Sequence, residues 1–149
     1  MNPTTTSARP ETGRSRRARQ RSWRSLSLTV PNDRADLLAA VRRLVLAHAL
    51  DAGAVQTNAE DIEVCASELL TNALRYSEGP ARLELDVHHG AVLLAVSDTS
   101  TRTPGEPGRG ACSSAETGRG LTIVNKLASA VEVRVYPWGK TISTSLPLR

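Results

Sequence analysis

Phenylalanine is absent from this chain of 149 residues, and all aromatics together make up 3% of it. A core must therefore come from Leu, Val, Ile and Ala, and no aromatic platform for stacking bases accompanies any basic stretch. Cysteine occurs twice, at Cys65 and Cys112, far too widely spaced for a C-x-x-C pair. That spacing argues against a disulfide framework or a zinc site, and a reducing cytoplasm is the expected compartment. No apolar run approaches the ~20 residues needed to span a bilayer. The Arg residues near the N-terminus are followed by no apolar segment, so no secretory signal is expected.

Charge is present but unevenly placed. Residues 1–24 carry seven Arg and one acid, Glu11, whereas the remainder has 12 basic against 14 acidic side chains. The net charge of +4 thus belongs to a tail of about +6 on a body of about −2. Residues 1–24 lack hydrophobic periodicity and are expected to be a disordered basic tail. It is read as solvated rather than as a nucleic-acid contact. The folded domain is expected over residues 25–149, a length that can bury a core.

Within that domain Leu26, Leu28 and Val30 alternate with polar residues and predict a strand stopped by Pro31. Asn32 is placed to cap a helix over about Asp33 to Ala49, with Leu37, Val41, Leu44, Val45 and His48 inward or at the edge, His48 as its polar margin. Asp51-Ala52-Gly53 breaks it. Thr57-x-x-Glu60 reads as a capping box opening a second helix, closed by Gly79-Pro80. Ile62, Cys65, Ala66, Leu69, Ala73 and Tyr76 form its apolar face. Leu83, Leu85 and Val87, then Val92, Leu94 and Val96, alternate on either side of His89-Gly90 and predict a hairpin ending at Asp98. His88 and His89 are turn residues.

Residues 99–117 form a connection rich in Gly and Pro with almost nothing apolar, a length usually functional or disordered. It leads into Gly118-Arg119-Gly120-Leu121 and a third helix with Leu121, Val124, Leu127 and Ala128 on one side. Val131, Val133 and Val135, then Ile142, Thr144 and Leu146, predict two closing strands joined by Pro137-Trp138-Gly139-Lys140. The pattern predicts an α+β fold: a two-layer α/β sandwich with a five-stranded mixed sheet and three main helices.

Two nucleotide-binding patterns fail on inspection. Gly139-Lys140-Thr141 lacks the Gly that a P-loop needs five residues earlier, since Arg134 stands there. Gly118-x-Gly120 lacks the third Gly of a dinucleotide fingerprint, since Ile123 occupies that place. What remains is an ordered set. Glu68 and Asn72 lie one turn apart on the flank of the second helix, Asp98 ends a strand, and Gly118-x-Gly120 opens a helix after the long connection. Taken alone, Glu68 and Asn72 are an ordinary polar flank. Together with the rest, the set has the chemistry of an ATP site. A helix N-terminus suits phosphates, a strand-end carboxylate accepts from an exocyclic amine, and Asn72 can hold Mg²⁺ through its carbonyl oxygen. Glu68 is then placed to accept a proton from an incoming hydroxyl.

These residues resemble the ATP-binding domain of the gyrase, Hsp90, histidine-kinase and MutL superfamily, whose ATP-binding fold is of the Bergerat type. Within it they are most similar to the small anti-sigma-factor serine/threonine kinases of Gram-positive bacteria. The resemblance rests on Glu68-Leu69-Leu70-Thr71-Asn72-Ala73, on Val96-Ser97-Asp98, on Glu116-Thr117-Gly118-Arg119-Gly120-Leu121, and on Gly139-Lys140-Thr141. It implies ATP and Mg²⁺ as cofactors, Asn72 as metal ligand, Asp98 on the adenine amine and Glu68 as general base. It also implies that Pro104, Gly118, Arg119, Gly120, Leu121, Lys140 and Thr141 belong to the nucleotide site, under a lid formed by residues 99–117. Many family members have glycine two and four residues after the Asp, where this chain has Ser100 and Arg102.

The activity so implied is Mg-ATP-dependent phosphorylation of an anti-anti-sigma (STAS-type) protein, coupled to sequestration of a sigma factor, in a cytoplasmic protein. Family members pair as homodimers. The competing reading is an ATP-binding module that sequesters a partner without phosphoryl transfer; Glu68 favours the kinase, since a sensor needs no base. A detached histidine-kinase catalytic domain would need a helical hairpin bearing the accepting His, which nothing before residue 25 supplies. A nucleic-acid binder working through the tail would lose its affinity on deletion of residues 1–24.

Overall fold

The computed structural model describes residues 24–103 and 119–149. The expected tail (apart from Arg24), Cys112, Pro104, Gly118 and the lid beyond residue 103 lie outside the described residues.

The central hairpin forms where it is expected. His89 and Gly90 adopt φ of 46° and 77°, the two left-handed positions that let a two-residue turn follow the strand twist. They join β2 (Ala81–His88) to β3 (Ala91–Asp98). Leu83 pairs with Val96, Leu85 with Leu94, and Val87 with Val92. β1 (Arg24–Val30) adds to the free edge of β2. On the other side of β3 lie β5 (Gly139–Pro147) and then β4 (Ala130–Tyr136).

The strand order is β1-β2-β3-β5-β4, and every neighbouring pair is antiparallel. This corrects the expectation of a mixed sheet. β3 and β4 do run in the same direction, as a crossover through a helix requires. β5 inserts between them, so the two never become neighbours.

Helices cover one face. α1 (Leu38–Asp51) and α2 (Gln56–Tyr76) are joined through Gly53, whose φ of 102° ends α1 in the left-handed region. α2 buries Ile62, Cys65, Ala66, Leu69, Leu70 and Ala73 against the inward strand residues Leu83, Leu85, Val92, Leu94 and Val96. Each fully buried Leu or Val of this layer contributes roughly 1.5–3 kcal/mol. α3 (Arg119–Leu127) adds Val124 to the same core. Among the described residues no helix is long and apolar enough to cross a membrane.

Both predicted helix starts are displaced. A 3-10 turn (Ala35–Leu37) precedes α1, and Asn32 caps nothing at that end. Its amide instead donates to the carbonyls of Leu74 and Ser77, the orphan acceptors at the C-terminus of α2. α2 begins at Gln56, with Val55 as N-cap and no capping box. Asn58 turns to the end of the chain, donating to the Pro147 carbonyl at 2.9 Å and accepting from the Arg149 N–H at 2.9 Å. Tyr76, expected on the apolar face, is 38% exposed, and Leu44, expected inward or at the edge, is 49% exposed. α1 turns its narrower Val41, Val45 and Ala49 stripe to the core. His48 is half-buried, with Nε2 itself buried.

Candidate functional site

Topology decides which end of the sheet holds the candidate residues. β3 runs towards Asp98, and the register Asp98–Lys140 puts the start of β5 beside it. β2 starts at the same end, at Ala81, so the C-terminal end of α2 arrives there too. The chain leaves β3 at this end and returns as α3, which then runs back along the layer to β4. The later half of α2, the end of β3, the start of β5 and the first turn of α3 therefore share one rim of the molecule.

Glu68 and Gly120 meet there. Both are half-buried, and a Cβ built on Gly120 would lie 2.7 Å from Glu68 Oε2. The carboxylate of α2 rests on the bare backbone of the first turn of α3, a place that only glycine leaves open. Asn72 is half-buried one turn further along α2. Neither residue is sealed in the apolar core. Arg119 opens α3 and Leu121, half-buried, follows Gly120 in the same turn.

Asp98 is held more tightly than its place at a strand end suggested. It is 3% exposed and its cross-strand neighbour Lys140 is 2% exposed. Lys140 Nζ donates to Oδ1 at 3.0 Å and to Oδ2 at 2.8 Å. The Ser100 N–H adds a third bond to Oδ1 at 2.7 Å. The Arg102 N–H in turn donates to Ser100 Oγ at 3.3 Å. The two residues that replace family glycines thus form consecutive side-chain-to-backbone turns leading out of β3.

Thr99 fixes the start of this segment to the end of α2. Its Oγ1 lies 2.6 Å from Ser77 Oγ and accepts from the Gly79 N–H at 3.0 Å. The Thr99 N–H donates to Ser77 Oγ at 3.1 Å. Gly139 packs so closely against β3 that a Cβ there would sit 1.9 Å from the Asp98 carbonyl oxygen. This close approach explains the glycine before Lys140.

A cavity of about 500 Å³ opens between the end of α2 and residues 99–102, and none of Glu68, Asn72, Asp98, Gly120 and Lys140 lines it. Its volume lies within the usual range for ligand pockets. Arg75 and Arg102 line it together with Tyr76, Glu78 and Ser100. Thr141 stands apart from the group. It pairs with Ser97, and the two hydroxyls are 2.8 Å apart. Strand alternation puts this pair on the face opposite Asp98 and Lys140.

The structure therefore brings Glu68, Gly120, Asp98 and Lys140 to one rim in two contacting pairs, with Asn72 beside the first, and turns Thr141 away. The sequence reading missed the Lys140–Asp98 contact, although the signal was available. Ile142, Thr144 and Leu146 point inward, and counting back by two places Lys140 on the same face.

These residues fit a magnesium-bound nucleoside triphosphate. Among the described residues the buried Asp98 carboxylate keeps one unused acceptor position, and Glu68 and Asn72 stand half-buried one turn apart beside the first turn of α3. Among the described residues no three His, Cys, Asp or Glu side chains cluster to hold a metal alone. A Mg²⁺ shared with phosphates needs only one or two protein ligands.

Comparison with known proteins bears on the same features. Residues 30–146 match the family model described as the histidine kinase-like ATPase domain. Among solved structures, the chain is similar to the RsbU and RsbW domains of Rv1364c from Mycobacterium tuberculosis, with a TM-score of 0.59 and 19% identity. That alignment covers 83% of this chain and 32% of the other. It is also similar to the histidine kinase domain of the blue-light activated histidine kinase EL346 from Erythrobacter litoralis, with a TM-score of 0.47 and 19% identity over 79% of this chain and 61% of that one. The chain thus spans about a third and about three fifths of these two relatives. No curated protein matches significantly.

Proposed function

The chain belongs to the histidine kinase-like ATPase domain family, and from that premise we propose that it is a Mg-ATP-dependent serine/threonine protein kinase. Its substrate is a small STAS-type anti-anti-sigma protein, and it sequesters a sigma factor when that partner is phosphorylated. The observation that supports transfer over mere binding is the placement of Glu68 on the backbone of Gly120. A carboxylate held at a helix N-terminus stands where phosphates bind and where an incoming hydroxyl must lose its proton.

When bound, ATP supplies the phosphoryl group and Mg²⁺ neutralises charge on the phosphate oxygens. The chain's own residues do the positioning. Asp98 accepts from the exocyclic amine of the base, and Asn72 offers a carbonyl oxygen to the metal. The α3 first turn, with Arg119 and Gly120, presents N–H donors, and Glu68 accepts the hydroxyl proton of the partner's Ser or Thr. The partner class rests on the motif resemblance, and the relative that contains RsbU and RsbW domains supports the fold. Pairing of two copies is consistent with the same reading.

The experiment is transfer of label from radiolabelled ATP to a STAS-type partner by the parent and by Glu68→Gln. The parent labels the partner. The variant loses roughly 10²–10⁴ in rate, the usual worth of a general base, while its nucleotide titration is unchanged. Complex formation without label from the parent would replace the kinase by a sequestering module.

A further inference from the structure

Resting on the nucleotide reading above, we propose that Lys140 is a positioning residue that sets base selectivity by fixing the plane of the Asp98 carboxylate with one acceptor position left over. The inventory of hydrogen bonds supports this. A carboxylate has about four lone-pair sites, two on each oxygen. Oδ1 is filled by Lys140 Nζ and the Ser100 N–H, and Oδ2 takes Lys140 Nζ alone. Among the described residues one site on Oδ2 is left over. It can accept one N–H, and it has no proton to donate.

Burial gives the arrangement its force. Both side chains are 2% exposed, where an unpaired charge is strongly disfavoured and neutralises instead. Two bonds from the Lys140 ammonium fix the plane of the Asp98 carboxylate. A free strand-end carboxylate would lack that constraint. Direct cross-strand pairing makes the hold rigid, because Asp98 and Lys140 are opposite each other in the β3–β5 register. Gly139, pressed against the Asp98 carbonyl, leaves Lys140 no slack from its neighbour. The site therefore takes a purine with an exocyclic 6-amine and discriminates against the same ring without it.

The test is calorimetric titration of the full chain with MgATP and with the magnesium salt of purine riboside triphosphate, which lacks only the 6-amine. The parent should prefer ATP by roughly 10- to 100-fold, the usual value of a hydrogen bond to a charged group. Lys140→Met should bring the preference close to unity, because the carboxylate loses the two bonds that fix its plane. Lys140→Arg, which keeps the charge, should restore at least part of it. Should Lys140→Met not fold, the charge-neutral double variant Asp98→Asn/Lys140→Met decides, since removing a buried pair together is tolerated better than removing one partner. Its preference should fall below that of the parent. A parent-sized preference in either variant overturns the role of Lys140, as does a parent that binds both nucleotides equally. A parent that binds neither overturns the nucleotide reading and this inference with it.

Discussion

Glu68 and Gly120 touch across the α2–α3 contact, with Oε2 lying 2.7 Å from the place a Cβ of residue 120 would occupy. The crowded atom is the far end of a flexible side chain, so a methyl group displaces the carboxylate without forcing the helices apart.

Gly120→Ala should therefore separate stability from activity. Replacing Gly by Ala inside a helix favours the helix by up to ~1 kcal/mol, so the melting temperature should hold or rise. Phosphoryl transfer should fall about 100-fold, the cost of a catalytic group misplaced by an ångström. Melting curves and partner labelling on the same preparation check both parts.

Gly139→Ala should do the opposite. Its Cβ would lie 1.9 Å from a backbone oxygen, that of Asp98, and 2.9 Å from Thr99 Cα. Backbone in the middle of a sheet cannot step aside, and overpacking of this kind costs about 1–3 kcal/mol or more. Chemical denaturation should show a lower midpoint, with the slope unchanged.

Asn72→Ala should abolish the dependence of nucleotide affinity on Mg²⁺ while leaving the fold intact, because the side chain is half-buried and off the core stripe. Titrations with Mg²⁺ and with excess chelator should give the same constant for the variant and different ones for the parent.

Cys65 should resist alkylation in the native protein at pH 8. Burial, with Asp61 and Glu68 adding negative charge nearby, pushes its thiol from 9.0 up to about 11. The folded state thus favours the protonated form more than the unfolded chain does. The resulting stabilisation is complete below pH 9 and is lost as pH rises from 9 towards 11. Mass spectrometry of the peptide bearing Cys65, after iodoacetamide treatment with and without denaturant, reads the first effect. Denaturation midpoints across that pH window read the second.

Much of the fold is legible in single residues. Alternation at Leu83, Leu85, Val92, Leu94 and Val96 fixes the inward face of the hairpin, and His89-Gly90 fixes its turn. Strand direction is harder to read, because the insertion of β5 between β3 and β4 leaves no mark in any local pattern. Helix starts are obscured for a related reason. Asn32 and Asn58 have the chemistry of local caps but find hydrogen-bond partners 42 to 91 residues away. At the proposed site, motif order is what singles out Glu68, Asn72 and Asp98. The buried Lys140 contact needs β5 to begin at Gly139, whereas a turn drawn through Pro137 to Lys140 leaves Lys140 outside the strand.

Asn58 grips the backbone of Pro147 and Arg149 at the first turn of α2, and Arg149 also accepts from the Val55 N–H. From there to Asn72 the helix is an uninterrupted rod of roughly 20 Å at ~1.5 Å per residue. Its two ends therefore move as one: a pull on residue 149 reaches Glu68 and Asn72 as a tilt. A cargo fused behind Arg149 would tug at the chemistry from the far side of the molecule.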